Sequence, residues 1–220
     1  MNDKLRLRFE KTGRAVYISH LDLMHTMQRA FSRAGYELKY SEGFNPHPQI
    51  SIALPLSVGV ASHCEIMDFR LKGDADLKEL PARLTAVMPE GICVTDCYEQ
   101  VNKVALLKYL EIEGSFEYDE RDTASMAAAL ADFYAQESII ITKKTKRGVG
   151  QSDIRPAIRE IRFAAGEGKV RLHALISAQE PTLNPALLAD ALRQLKPEIA
   201  PDFERFTRIE NYLENMTVFR

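Results

Sequence analysis

The sequence predicts an α+β fold built from two tandem ferredoxin-like halves, each of βαββαβ type with an antiparallel sheet. Three observations lead there. Apolar and charged residues alternate in Leu5 to Phe9 and again in Val170 to Ile176, the period-two pattern of strands with one wet face. Between such stretches apolar residues recur at helical spacing, as in Leu23, Met27 and Phe31. After residues 101–105 the order of elements starts again without a residue-level repeat, so the predicted halves are 1–104 and 105–220.

In the first half, Lys4 to Glu10 reads as a strand with Leu5, Leu7 and Phe9 inward. Ser19 is a good N-cap, Asp22 places negative charge at the helix start, and Leu23, Met24, Met27, Phe31 and Ala34 form a buried stripe. Gly35 stands where a left-handed C-terminal residue belongs. A strand at Tyr36 to Tyr40, a rigid loop at Gly43 to Pro48 and a strand with Ile50, Ile52 and Leu54 inward follow. Pro55 to Ser62 is a connection, and Glu65 to Leu71 is a strand. Leu77, Leu80, Leu84 and Val87 mark a second helix, stopped by Pro89 and Gly91, before a strand from Ile92 to Asp96.

In the second half, Leu106 to Tyr118 reads as a strand, and Thr123 caps a helix carrying Met126, Leu130 and Phe133. Ser138 to Lys144 is β-branched and strand-like, and a long loop runs from Thr145 to Pro156. Glu160 to Ala164 and Lys169 to Ser177 form a hairpin across Gly166-Glu167-Gly168. Asn184 and Pro185 open a helix with Leu188, Leu192 and Leu195, and Phe203 to Leu213 is the last strand.

Hydrophobic content of 45% with 27% charged residues is that of an ordinary globular chain. No apolar run approaches the roughly 18 residues of a membrane span, and Met1 to Lys4 lacks the apolar core of a signal peptide, so the expected compartment is the cytoplasm, with no membrane partner. Cys64, Cys93 and Cys97 cannot all pair and are expected to be reduced. A net charge of -2 argues against a generic nucleic-acid coat, but it averages over uneven segments. From Lys143 to Arg171 there are nine Lys or Arg against three acids, whereas Lys108 to Glu137 holds two bases against eight acids.

Several residues are candidates for a site. His20 in the first helical turn and His47 in the rigid loop can form a proton-transfer pair or phosphate clamp if the fold joins them; otherwise each bonds only its own surroundings. His25, Arg29 and Arg33 stack four apart as a cationic column. Gly43 serves a positive φ or a close approach, Asn45 starts the turn, and Phe44 either plugs the core, the first reading, or offers a stacking platform. The sharpest expectation puts His20, Asn45 and His47 in one pocket, with Phe44 in its wall and Arg29 at its rim. Lys146, Arg147, Asp153 and Arg155, followed by Arg159 and Arg162, form either a solvated face or a phosphate-contacting surface, Asp153 orienting Arg155.

Ser19-His20-Leu21-Asp22 followed by Gly43-Phe44-Asn45-Pro46-His47-Pro48 resembles the signature of the radical-SAM-linked protein family, domain of unknown function 2344, over nearly the whole chain. The resemblance implies a partner, a radical SAM protein with a B12-binding domain encoded beside or fused to such chains, rather than a reaction. The iron-sulfur cluster, S-adenosylmethionine and cobalamin are expected only on that partner. Here Cys93 and Cys97 lack the third cysteine of a radical SAM cluster, since position 100 is Gln100. In a strand they would also stand more than ~10 Å apart, so no metal is assigned and both read as structural thiols.

The leading expectation is an accessory protein of that enzyme which binds RNA or an RNA-derived substrate. One alternative is a metal-independent RNA-processing or RNA-modifying enzyme using His20 and His47 as acid and base. Another is a protein-interaction adaptor without nucleic acid.

Overall fold

A computed structural model describes residues 4–145 and 148–220, and the chain divides into two compact units, one running to Leu106 and including Arg220, the other Leu107–Phe219. The first unit contains β1 (Leu5–Lys11), α1 (His20–Arg33), β2 (Ile50–Ala53), β3 (Ala61–Phe69), α2 (Leu80–Thr85) and β4 (Ile92–Glu99). Its strands pair antiparallel in the order β4-β1-β3-β2, so both helices are crossovers. The inward residues predicted from alternation meet across the ladder: Leu7 lies opposite Met67 and Leu5 opposite Phe69. Onto them α1 lays Leu23, Met27, Ala30 and Phe31, all buried, with the Phe31 and Phe69 rings 5.0 Å apart. Burying each such large side chain stabilises the unit by about 1.5–3 kcal/mol.

Both ends of α1 are set locally. Ser19 Oγ accepts from the Asp22 N–H at 3.2 Å and donates to the Asp22 carboxylate at 2.7 Å. At the other end Gly35, at φ 83°, closes a Schellman motif in which the Tyr36 N–H reaches Phe31 O and the Gly35 N–H reaches Ser32 O.

The second unit contains β5 (Tyr109–Glu117), α3 (Thr123–Tyr134), β6 (Ile140–Thr145), β7 (Gly148–Asp153), β8 (Ile158–Gly166), β9 (Lys169–Ser177), α4 (Ala186–Leu195) and β10 (Phe203–Tyr212). Four of these strands pair antiparallel in the order β10-β5-β9-β8, while β6 and β7 pair with each other as an inserted hairpin. Leu110, Ile112 and Phe116 of β5, Leu172 and Ile176 of β9, and Leu188 and Leu192 of α4 are buried, and the Tyr134 hydroxyl donates to Leu188 O at 2.6 Å. The coarse expectation of a mixed α+β chain with antiparallel sheets is met.

Several element assignments differ. Tyr36 to Tyr40 is not a strand: it makes isolated bridges, Leu38 with Leu71 and Tyr40 with Pro48, because the loop closes on its own base and leaves no continuous ladder. The second helix is the short α2; no side chain caps it, although Leu77 and Val87 still pack on the core. The helix at 123 is capped by Asp122, which accepts from the Ser125 N–H at 2.8 Å, while the Thr123 hydroxyl donates to Gly166 O. Within the long loop expected from Thr145 to Pro156, Gly148–Asp153 forms β7. Exposed Gly148, Val149, Gly150 and Gln151 carry no apolar alternation, so only the backbone ladder to β6 identifies that strand. The side chain of Gln194 on α4 holds the hairpin by bonding both the N–H and the O of Thr142.

Candidate functional site

The two signature motifs lie in the first unit, and the structure distributes His20, Arg29 and His47 over three separate depressions. His20, the first residue of α1, lines a cavity of about 10 Å³ with Lys11, Leu23, Ile52 and Glu65. Lys11 and Glu65 are almost wholly buried, and Lys11 Nζ donates to Val16 O at 3.0 Å. Burial pushes the Lys11 ammonium below its ordinary value, and the Glu65 charge partly restores it. The adjoining Leu54, at φ 45°, holds a left-handed backbone just before Pro55, a local strain of about 1–3 kcal/mol.

Arg29 lines a second depression, a groove of about 880 Å³ between α1 and the segment after it, together with Gln28, Arg33, Tyr36 and Tyr40. Arg29 and His25 are exposed, whereas the Arg33 guanidinium donates to Val87 O at 2.8 Å, so the cationic column is only partly open. Arg83 lies over the Tyr36 ring at 4.7 Å and donates to Ala34 O, bracing that wall.

His47 lines a third depression, a polar cleft of about 330 Å³ with Lys4, Gln49, Ser51, Asp68, Arg70 and Gln100. The loop that carries it is stapled at its base. Ser41 N–H donates to His47 O at 2.9 Å, His47 N–H donates to Ser41 Oγ at 3.1 Å, and Ser41 Oγ also meets His47 Nδ1 at 2.9 Å. Gly43 sits at φ 119° with open space where a Cβ would stand, so glycine is required there by backbone angle alone. Asn45 contributes its carbonyl, 3.5 Å from His47 Nδ1.

The one-pocket expectation is therefore corrected: His20, His47 and Arg29 line different depressions, and Phe44 forms no wall. Its relative exposure is 111%, which also overturns the core-plug reading. Two prolines and the Ser41 staple hold the tip outward, so no apolar neighbour covers the ring.

In the basic run of the second unit, the described side chains make contacts within the fold. The Arg155 guanidinium donates to Gln136 O and Ile158 O, and Asp153 Oδ1 accepts from the Arg155 and Ile139 N–H groups. Asp153 orients the Arg155 backbone, and the Arg155 side chain ties carbonyls rather than facing a ligand. Arg159 lies over the Tyr109 ring at 4.6 Å, and Arg162 pairs with Glu160. Lys146 and Arg147 lie outside the described residues. On the face opposite the buried side chains, Glu111 accepts from Tyr212 Oη at 2.7 Å and meets His173 Nε2 at 2.8 Å. Burial raises the Glu111 carboxyl, but these hydrogen bonds outweigh it and hold it below its ordinary value. Cys97 is buried and its thiol is pushed up to about 12 by burial and by Asp96, which makes it inert; Cys93 is exposed.

Sequence reasoning missed Lys11 and Glu65. A signal existed for Lys11, which continues the inward phase of Leu5, Leu7 and Phe9. It also missed Gln49, Asp68 and Arg70, which no local pattern joins to His47.

The family model described as "Uncharacterized protein conserved in bacteria (DUF2344)" matches residues 4–185. The chain belongs to that family. No curated protein matches this DUF2344 chain. Among solved structures, a chain in the crystal structure of a Cbf5-Nop10-Gar1 complex is similar at a TM-score of 0.52 and 11% identity, over 96% of the DUF2344 chain and 49% of that chain. The likeness is one of fold alone, and the DUF2344 chain spans about half the length of that match. The crystal structure of an unknown protein from Galdieria sulphuraria matches at a TM-score of 0.27 and 11% identity, over 94% and 98% of the two chains, too low a score to carry an argument. Among the described residues no helix is long and apolar enough to cross a membrane.

Proposed function

We propose that this DUF2344 chain is an accessory protein of a B12-binding radical SAM enzyme and binds RNA, or an RNA-derived substrate, through its first unit. The partner rests on the motif resemblance. A ferredoxin-like reading of each unit is supported by the shared strand order, in which the first and third sheet strands are central and the second and fourth lie outside.

The RNA reading rests on one observation: a stapled hairpin presents Phe44 fully to solvent at its tip and half-exposed Tyr40 at its base, where Tyr40 shares a groove with exposed Arg29. Exposed aromatic rings beside a cation suit single-stranded nucleic acid, because every base has a face to stack and every linkage a phosphate to neutralise. The sheet face of the second unit has one exposed ring beside a cation, Phe203 at the end of β10 with Arg205 4.9 Å over it. Its central strands β5 and β9 present Glu111, Glu113 and His173, and Tyr109 is covered by Arg159.

Fluorescence anisotropy with single-stranded RNA tests the reading. Binding that weakens with salt and falls in Phe44→Ala and Arg29→Gln supports it; absence of binding, together with capture of the purified radical SAM partner, moves the function to the adaptor alternative.

A further inference from the structure

The cleft beside His47 has features that a flat RNA-binding surface does not need. Two of its side chains, Arg70 and His47, are held in place before any ligand arrives. Arg70 donates to Gln49 Oε1 at 3.0 Å, and the amide of Gln49 in turn donates to Tyr40 O at 3.1 Å. His47 is fixed through Nδ1 by Ser41, which leaves Nε2 as the ring nitrogen with no protein partner among the described residues. The acid in the cleft is already matched. Asp68 receives both Arg6 Nε at 2.6 Å and Arg6 Nη2 at 3.0 Å, with Arg6 fully buried, and its Oδ2 also accepts from the Gln100 amide at 2.7 Å. Arg6 thus matches the Asp68 charge, while Lys4, Arg70 and His47 line the cleft around it and Ser51 adds a hydroxyl. Oriented donors and a volume of about 330 Å³ describe a site for a compact dianion with something attached, not for a passing phosphodiester.

We infer that this cleft binds a phosphomonoester, the terminal phosphate of an RNA strand or of a mononucleotide, with His47 Nε2 and Arg70 as its principal donors. The inference rests on the RNA reading for the source of the group, but not for the chemistry of the cleft. The chain then distinguishes an end from an interior: Phe44 and Tyr40 take bases, and the cleft takes the end.

The test uses an internally labelled oligoribonucleotide with a 5′-phosphate, a 3′-phosphate or hydroxyls at both ends, and adenosine monophosphate as a separate probe. One phosphorylated form is expected to bind about tenfold more tightly than the hydroxyl form, and the preferred form names the end that is read. His47→Gln and Arg70→Gln should erase that preference, so that within each variant the phosphorylated and hydroxyl-ended strands bind alike. Thermal midpoints accompany both variants. His47 is exposed and its replacement should fold even if loss of the Arg70 brace does not. Equal affinity for all three strands overturns the inference and leaves the RNA reading standing. Saturable binding of adenosine monophosphate without RNA binding, lost in His47→Gln, upholds the cleft and removes the RNA reading; if neither probe binds, both fall.

Discussion

Phe44→Ala separates packing from recognition more cleanly than any other substitution. A buried phenylalanine in this unit, Phe31, is fully enclosed and touches Phe69, so its truncation should cost about 3–5 kcal/mol. Phe44 has a relative exposure of 111%, so truncation removes almost no burial and should change stability by no more than about 0.5 kcal/mol. Stacking of one base on the ring is worth about 1–3 kcal/mol, so Kd for single-stranded RNA should rise about 5- to 150-fold. The side chain carries no charge, so the slope of log Kd against log salt should stay as it is; Arg29→Gln should flatten that slope by about 1 if one phosphate contact is lost. Chemical denaturation and anisotropy on the same preparations measure both quantities. A loss of several kcal/mol in stability would show that the hairpin tip packs in solution, and an unchanged Kd would show that the ring is not a platform; either outcome refutes the reasoning.

Three further outcomes follow from buried charge and loop geometry. Lys11→Met should destabilise the first unit by about 3–5 kcal/mol because Glu65 keeps a buried charge, and Lys11→Met with Glu65→Leu should recover most of it; additive losses in the double-variant cycle would dismiss the coupling. Ser41→Ala should speed amide exchange at His47, whose N–H donates to Ser41 Oγ, and unchanged protection would place the loop's stiffness elsewhere. On acidification the second unit should lose stability. Asp122, Asp153 and Asp202 are held below 3.8, chiefly by bonds from Ser125, from the Ile139 N–H and from the Asp119 N–H, so their contribution is present above that value and vanishes as pH falls through the lowered ones. Circular-dichroism melts should show a shallower acid dependence in Asp153→Asn than in the parent chain; identical slopes would exclude that carboxylate as a source.

The sequence by itself determined what depends on near neighbours. Alternation in Leu5 to Phe9 placed Leu7 and Phe9 in the core, the Ser19–Asp22 pair started α1, and Gly35 ended it, because caps and side-chain phase are settled within a few residues. The loop from Gly43 to Pro48 was legible as rigid from its glycine and prolines. Its direction was not, since whether Phe44 meets a core or solvent depends on what packs beside it. Tertiary structure alone decided that His20 and His47 line different depressions, that β7 is a strand, and that Arg155, Arg159 and Arg162 are engaged within the fold. It also decided the cleft, where Arg6 neutralises Asp68 from 62 positions away. Such partners meet only because antiparallel pairing in the order β4-β1-β3-β2 brings distant segments side by side, and no local period encodes which residues will face each other there.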